Sequence, residues 1–151
     1  MIISIYGDFI MKAPQTLFAQ QFTQWQPPVR RSYSFELQRA AAVHVFRCCN
    51  YPGWIRHKVA HSDIYHFLFA IPKQTSEEDR KLSVDICRAW AQFAKTGHPG
   101  RFRSVEWTES RYESQDGGEH CRHMLLNIHP SMAYGSELKE ICQFWEPRWP
   151  A

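Results

Sequence analysis

Residues 58–69 read KVAHSDIYHFLF: His61 follows two small apolar residues, precedes Ser62 and Asp63, and leads into an aromatic run. An imidazole, which ordinarily titrates near pH 6.5, can shuttle a proton, ligate a metal, or pack and hydrogen-bond a carbonyl. On these residues alone all three roles stand open for His61, and packing is the commonest. A base needs something to activate, yet none of the seven glycines begins a G-x-S-x-G elbow. Ser62 and Ser131 read as turn or surface residues. Asp63 lies two residues from His61 and reads as a brace of its own loop, while Glu119 sits in a polar turn beside Gly117-Gly118.

Metal chemistry has a weaker basis. A zinc set can be assembled from His120-Cys121-x-His123 and Cys48-Cys49, but no C-x2-C pair exists and adjacent cysteines rarely share one tetrahedral ion. No metal or cofactor is expected. The five cysteines are odd in number, so they cannot all pair within the chain, and no compartment is assigned from them. The net charge of +3 is modest, and Arg30-Arg31 and Arg101-x-Arg103 stand apart, which argues against nucleic acid. No run approaches the roughly eighteen apolar residues of a membrane span. The opening MIISIYGDFIM lacks a basic start and soon meets Asp8, so a soluble chain without a secretory signal is expected.

The elements that must position His61 follow from spacing and punctuation. With 44% hydrophobic and 22% charged residues the chain reads as globular, and its six tryptophans and ten phenylalanines look drawn from a larger packed body. Asp8 is placed to cap a helix running to about Gln24, kinked or opened by Pro14, with Phe18, Phe22 and Trp25 at helical spacing and Pro27-Pro28 as its stop. SYSFEL, 32–37, alternates Tyr33, Phe35 and Leu37 with polar residues, the pattern of a strand with one buried face. The stretch 38–58 has no clear period and contains Pro52-Gly53.

Thr75 and Ser76 before Glu77, Glu78 and Asp79 start a helix that runs to Thr96. Its apolar stripe is Leu82, Ile86, Ala89, Trp90 and Phe93, and Gly97 with Pro99 stops it. Residues 100–122 read as polar with a turn at Asp116-Gly117-Gly118, followed by a strand at 124–128 and a helix from Ser136 to Trp145. His66 is expected to pack or to be half-exposed. His44, His57, His98, His120, His123 and His129 are expected on surface or loops.

In this order the segments resemble the C-terminal portion of a type B carboxylesterase, in the cholinesterase-like branch of the α/β-hydrolases. GDFIMKAPQTLFAQQF resembles the family's helix bearing a proline after an aspartate, and SYSFEL resembles the late sheet strand that follows. HSDIYHFLF resembles the catalytic-histidine signature, and LSVDICRAWAQFAKTGHPG, leading to Trp107, is the most specific piece. LLNI and ELKEICQFW resemble the closing strand and last helix. The departures are Lys58, where a glycine is common, Ile64, where an acidic residue is frequent, and Ala13, where cholinesterases carry the disulfide partner of the cysteine before FW, here Cys142.

The resemblance implies an α/β fold, an incomplete α/β-hydrolase in which 1–151 supplies only C-terminal strands and helices of the sheet. It implies acyl transfer at an ester, with His61 as the triad histidine and Trp90, Trp107 and Trp145 in the core. The family's chain order is serine, acid, histidine, so the nucleophile, the acid and the oxyanion segment are expected upstream of Met1. Without them the chain is expected to be inactive alone. Two function classes stand open: part of a carboxylic ester hydrolase, or a non-catalytic cholinesterase-like adhesion module; a gene-model product is a third. The partners implied are an ester substrate when the full domain is present, and association with the missing half or with a second copy. Expressed alone, the chain is expected to be poorly soluble because a sheet edge and aromatic faces stay uncovered.

Overall fold

Ser76 opens the longest element as its sequence signal requires. Its hydroxyl accepts the Asp79 N–H at 3.1 Å, and Glu77, Glu78 and Asp79 fill the first turn. The computed structural model describes residues 2–24, 31–41, 53, 58–69, 76–110, 112–115 and 118–145. The helix α4 spans Glu77–Thr96 and ends at Gly97, whose φ of 71° is the left-handed conformation of a C-terminal cap. Leu82, Ser83, Ile86 and Ala89 form its buried face. Phe93, expected on that stripe, shares the angular position of Leu82 and Ile86 but is 44% exposed, and every residue from Ala91 to Gly97 at the C-terminal end of the helix is exposed with it. Asp79 is buried and its Oδ1 accepts from Arg39 Nε at 2.9 Å.

The first helical segment differs from the capping reading of Asp8. Helix α1 (Ile2–Gly7) already precedes it, and Asp8–Lys12 forms a π-helical turn leading into α2 (Ala13–Gln24). The Ala13 N–H donates to Asp8 O, a five-residue step. Pro14 explains the widening: it has no N–H for the ordinary bond to Ile10 O, and its ring would crowd that carbonyl. Asp8 pairs instead with Lys12 at 3.6 Å. Trp25 and Pro27-Pro28 lie outside the described residues, as do Cys48, Cys49, His44, His57, Thr75 and the turn at 116–117.

Strand β1 is Ser34–Leu37, and Phe35 is 41% exposed rather than on a buried face. Its ring instead meets Trp90 edge-on with centroids 5.0 Å apart, and Trp90 meets Trp107 at 5.8 Å. Trp107 and Phe102 are buried, Trp90 half-buried. Helix α3 is Asp63–Leu68. The polar stretch after residue 100 holds more strand than its composition suggests: β2 (Arg101–Phe102) pairs antiparallel with β3 (Val105–Glu106), and β4 (Tyr112–Gln115) pairs antiparallel with β5 (Gly118–Leu126).

The strand expected at 124–128 therefore starts at Gly118 and ends at Leu126, since backbone pairing from Tyr112↔Cys121 to Gln115↔Gly118 extends it through polar residues. His120 and His123 consequently lie in a strand, and His123 is 8% exposed, against the expectation of surface or loop. Strand β6 (Ser131–Gly135) was not expected, and it carries Ser131. The sheet order is β1-β5-β4, with β6 also pairing β5. Helix α5 (Ser136–Trp145) matches the expected span.

The contacts divide into two compact units: Met1–Ser34 with Thr108–His123 and Ala133–Ala151, and Phe35–Trp107 with Met124–Met132. In the first, Phe9 packs on Trp145 at 4.8 Å, and Ser110 ties the chain entering β1 by donating its N–H to Ser32 O at 2.8 Å. In the second, α3 packs on α4 around buried Phe67, Leu82 and Ile86. Among the described residues no helix is long and apolar enough to cross a membrane.

Candidate active site

The site residue predicted from sequence lies in the second unit, in a tight turn at the start of α3. The Asp63 N–H donates to Ala60 O at 3.1 Å, so Ala60, His61, Ser62 and Asp63 form a β-turn. Ser62 has φ 73° and ψ 1° while His61 keeps a negative φ, the type II pattern. Asp63 closes the turn a second time: its Oδ2 accepts the Ala60 N–H at 2.8 Å. Asp63 is 1% exposed. Its Oδ2 thus braces the turn's backbone, the role read from the sequence.

His61 is the exposed residue of this turn and makes no hydrogen bond among the described residues. Packing, the commonest fate of a histidine in such a segment, is not its fate here. That fate falls to His66, one turn into α3: it is buried, meets the Phe67 ring edge-on at 5.5 Å, and leaves Nε2 without a hydrogen-bond partner. The two histidines of one signature are thereby separated, the first presented to solvent and the second turned inward.

Two residues that the sequence reading passed over grip the far end of α3. The Ser83 hydroxyl donates to Phe67 O, and the Cys87 thiol donates to Leu68 O at 3.2 Å and more weakly to Phe67 O at 3.7 Å. The last carbonyls of a helix lack partners within it, so these side chains of α4 meet an obligation that α3 cannot meet itself. Their spacing of four residues, beside the apolar stripe of α4, is the signal that could have found them.

Among the described residues no serine or carboxylate is hydrogen-bonded to the His61 ring. Ser62 is part of the same turn, Ser131 opens β6, and Glu119 lies in β5 opposite Ser114 rather than in a polar turn. Among the described residues no three His, Cys, Asp or Glu side chains are grouped to hold a metal ion; Cys48 and Cys49 of the zinc alternative lie outside them. A shallow charged depression on the exposed face of α4, lined by Arg80, Asp85 and Arg103 among others, excludes His61.

Comparison with known proteins gives the same direction from three sides. A model described as the carboxylesterase family matches residues 1–145. Acetylcholinesterase of Gallus gallus is 29% identical over 147 residues, covering 93% of this chain and 17% of that protein. Cocaine esterase of Homo sapiens is 24% identical over 173 residues, covering 99% of this chain and 29% of that protein. Among solved structures, a PNB esterase superposes with a TM-score of 0.70 at 18% identity, over 99% of this chain and 27% of that one. The chain therefore spans less than a third of the length of each of these three proteins.

Proposed function

The chain belongs to the carboxylesterase family, and we propose that it is the C-terminal part of a carboxylic ester hydrolase, supplying the triad histidine, His61. Its fold is part of the mixed helix-and-sheet architecture of an α/β-hydrolase. The observation that carries the proposal is the presentation of His61: an exposed imidazole at the first central position of a turn that Asp63 closes twice. A general base must offer its ring to a hydroxyl while its own backbone stays still.

In the proposed reaction a serine from outside this chain attacks the ester carbonyl as His61 takes its proton. His61 then returns that proton to the leaving alcohol, and repeats the cycle with water to release the acid. An acidic residue, also outside this chain, orients the ring and stabilises the imidazolium. Asp63 is not assigned that place in this reading, since its Oδ2 accepts the Ala60 N–H within its own turn. The partner required is the remainder of such a domain, and Ile5, Tyr6, Ile10 and Phe18 along the first helical segment, all exposed, support a surface made to be covered.

The test is turnover of a chromogenic short-chain ester. The chain alone, and His61→Ala, are expected to show none above background, since no nucleophile elbow is present. Joined to the serine-bearing portion of a carboxylesterase in place of that enzyme's own C-terminal part, the chain is expected to give turnover that His61→Ala reduces by about a thousandfold or more. Activity of the joined protein that survives His61→Ala would overturn the assignment.

A further inference from the structure

We propose that Ser83 and Cys87 are positioning residues for His61, an inference that rests on the reading of His61 as the triad histidine. The turn that carries His61 runs directly into α3. Asp63 is at once the last residue of the turn and the first of α3, so the direction of the α3 axis dictates where the turn points. At six residues α3 is well below the length at which a helix holds itself in water. Its direction must be imposed from outside.

The neighbour that imposes it is α4, twenty residues long and capped at both ends by Ser76 and Gly97. Apolar contact among Phe67, Leu82 and Ile86 holds the two helices together, but such contact is non-directional and tolerates sliding. Hydrogen bonds do not. The Ser83 hydroxyl on Phe67 O and the Cys87 thiol on Leu68 O pin two successive carbonyls of α3 to two points one turn apart on α4. Ser83 is itself buried, so water offers no substitute for its bond.

The lever is short but sufficient. Six helical residues span about 9 Å, so a tilt of about 10° at the pinned end moves the His61 turn by about 1.5 Å. A displacement of about 1 Å between reacting groups can lower a rate by about a hundredfold. The family resemblance does not single out either residue; the coordinates do.

Hydrogen–deuterium exchange on the chain itself tests the proposal without any assay of ester turnover, so it stands or falls separately from the triad reading. Ser83→Ala with Cys87→Ala is expected to speed exchange of residues 58–69 at least tenfold while leaving residues 77–96 of α4 unchanged. Cys87→Ser and Ser83→Thr, which keep a donor, are expected to restore the native rate. Equal acceleration in both segments would mean that the two side chains serve general stability only, and would overturn the proposal. So would Cys87→Ser exchanging as fast as Cys87→Ala. Each single alanine variant removes one donor and carries the same expectations should the double variant not fold.

Discussion

The Cys142 sulfur lies 3.9 Å from the carbonyl oxygen of Ala13, across 129 residues of sequence. Both residues are buried, one on α5 and the other at the first position of α2. The family resemblance implies a disulfide partner for Cys142 at the position of Ala13, and the structure brings these two residues together. Ala13→Cys is expected to bond to Cys142 under oxidising conditions and to stabilise the chain by about 2–4 kcal/mol. Thiol titration under denaturing conditions and a melting curve with and without reductant check it. Two additional reactive thiols relative to the disulfide-bonded form, with no change in melting, would show that the helices do not meet closely enough.

Ser62 is held at φ 73°, where a side chain crowds its own backbone. Ser62→Gly is expected to raise stability by about 0.5–1 kcal/mol, and Ser62→Val to lower it by about 1 kcal/mol or more. Denaturant titration measures both. A glycine variant less stable than the native chain would mean that the hydroxyl makes a contribution outweighing the backbone strain.

Arg39 reaches two carboxylates of the α4 N-terminus whose surroundings differ. Asp79 Oδ1 is buried and 2.9 Å from Arg39 Nε, while Glu78 is exposed and 3.7 Å away. Asp79→Asn is expected to lower stability by about 1–3 kcal/mol, because a charge-assisted bond weakens where water cannot replace it. Glu78→Gln is expected to change it by less than about 0.5 kcal/mol. Comparable losses in the two variants, read from denaturation midpoints, would contradict the burial argument.

Arg103 sits at φ 56° in the two-residue turn of the β2–β3 hairpin, a position that suits glycine. It is retained by its guanidinium, which donates to Asp85 Oδ2 at 2.8 Å and to Ile128 O. Arg103→Ala loses both bonds and keeps the strain, whereas Arg103→Gly loses the bonds and relieves it. The alanine variant is therefore expected to be less stable than the glycine variant by about 1 kcal/mol. Equal stabilities in thermal melts would place the turn's strain elsewhere.

Much of the local structure was legible because it is governed by residues close in sequence. The Ser76 cap, the Gly97 stop and the span of α4 follow from side chains bonding to backbone a few residues away, and so does α5. The bracing of the turn by Asp63 is local in the same sense. The order of motifs also carried the family resemblance, and with it the choice of His61 among eight histidines.

What no local rule could give is what each side chain faces. Strands β4 and the first half of β5 are polar and form through backbone pairing, which leaves little trace in hydrophobic pattern. The split between exposed His61 and buried His66 depends on how α3 lies on α4, and the grip of Ser83 and Cys87 joins residues sixteen to twenty positions apart. Local hydrogen bonding and capping wrote the helices into the sequence; burial and long-range pairing, which depend on the whole packed chain, decided which imidazole is exposed and which is buried.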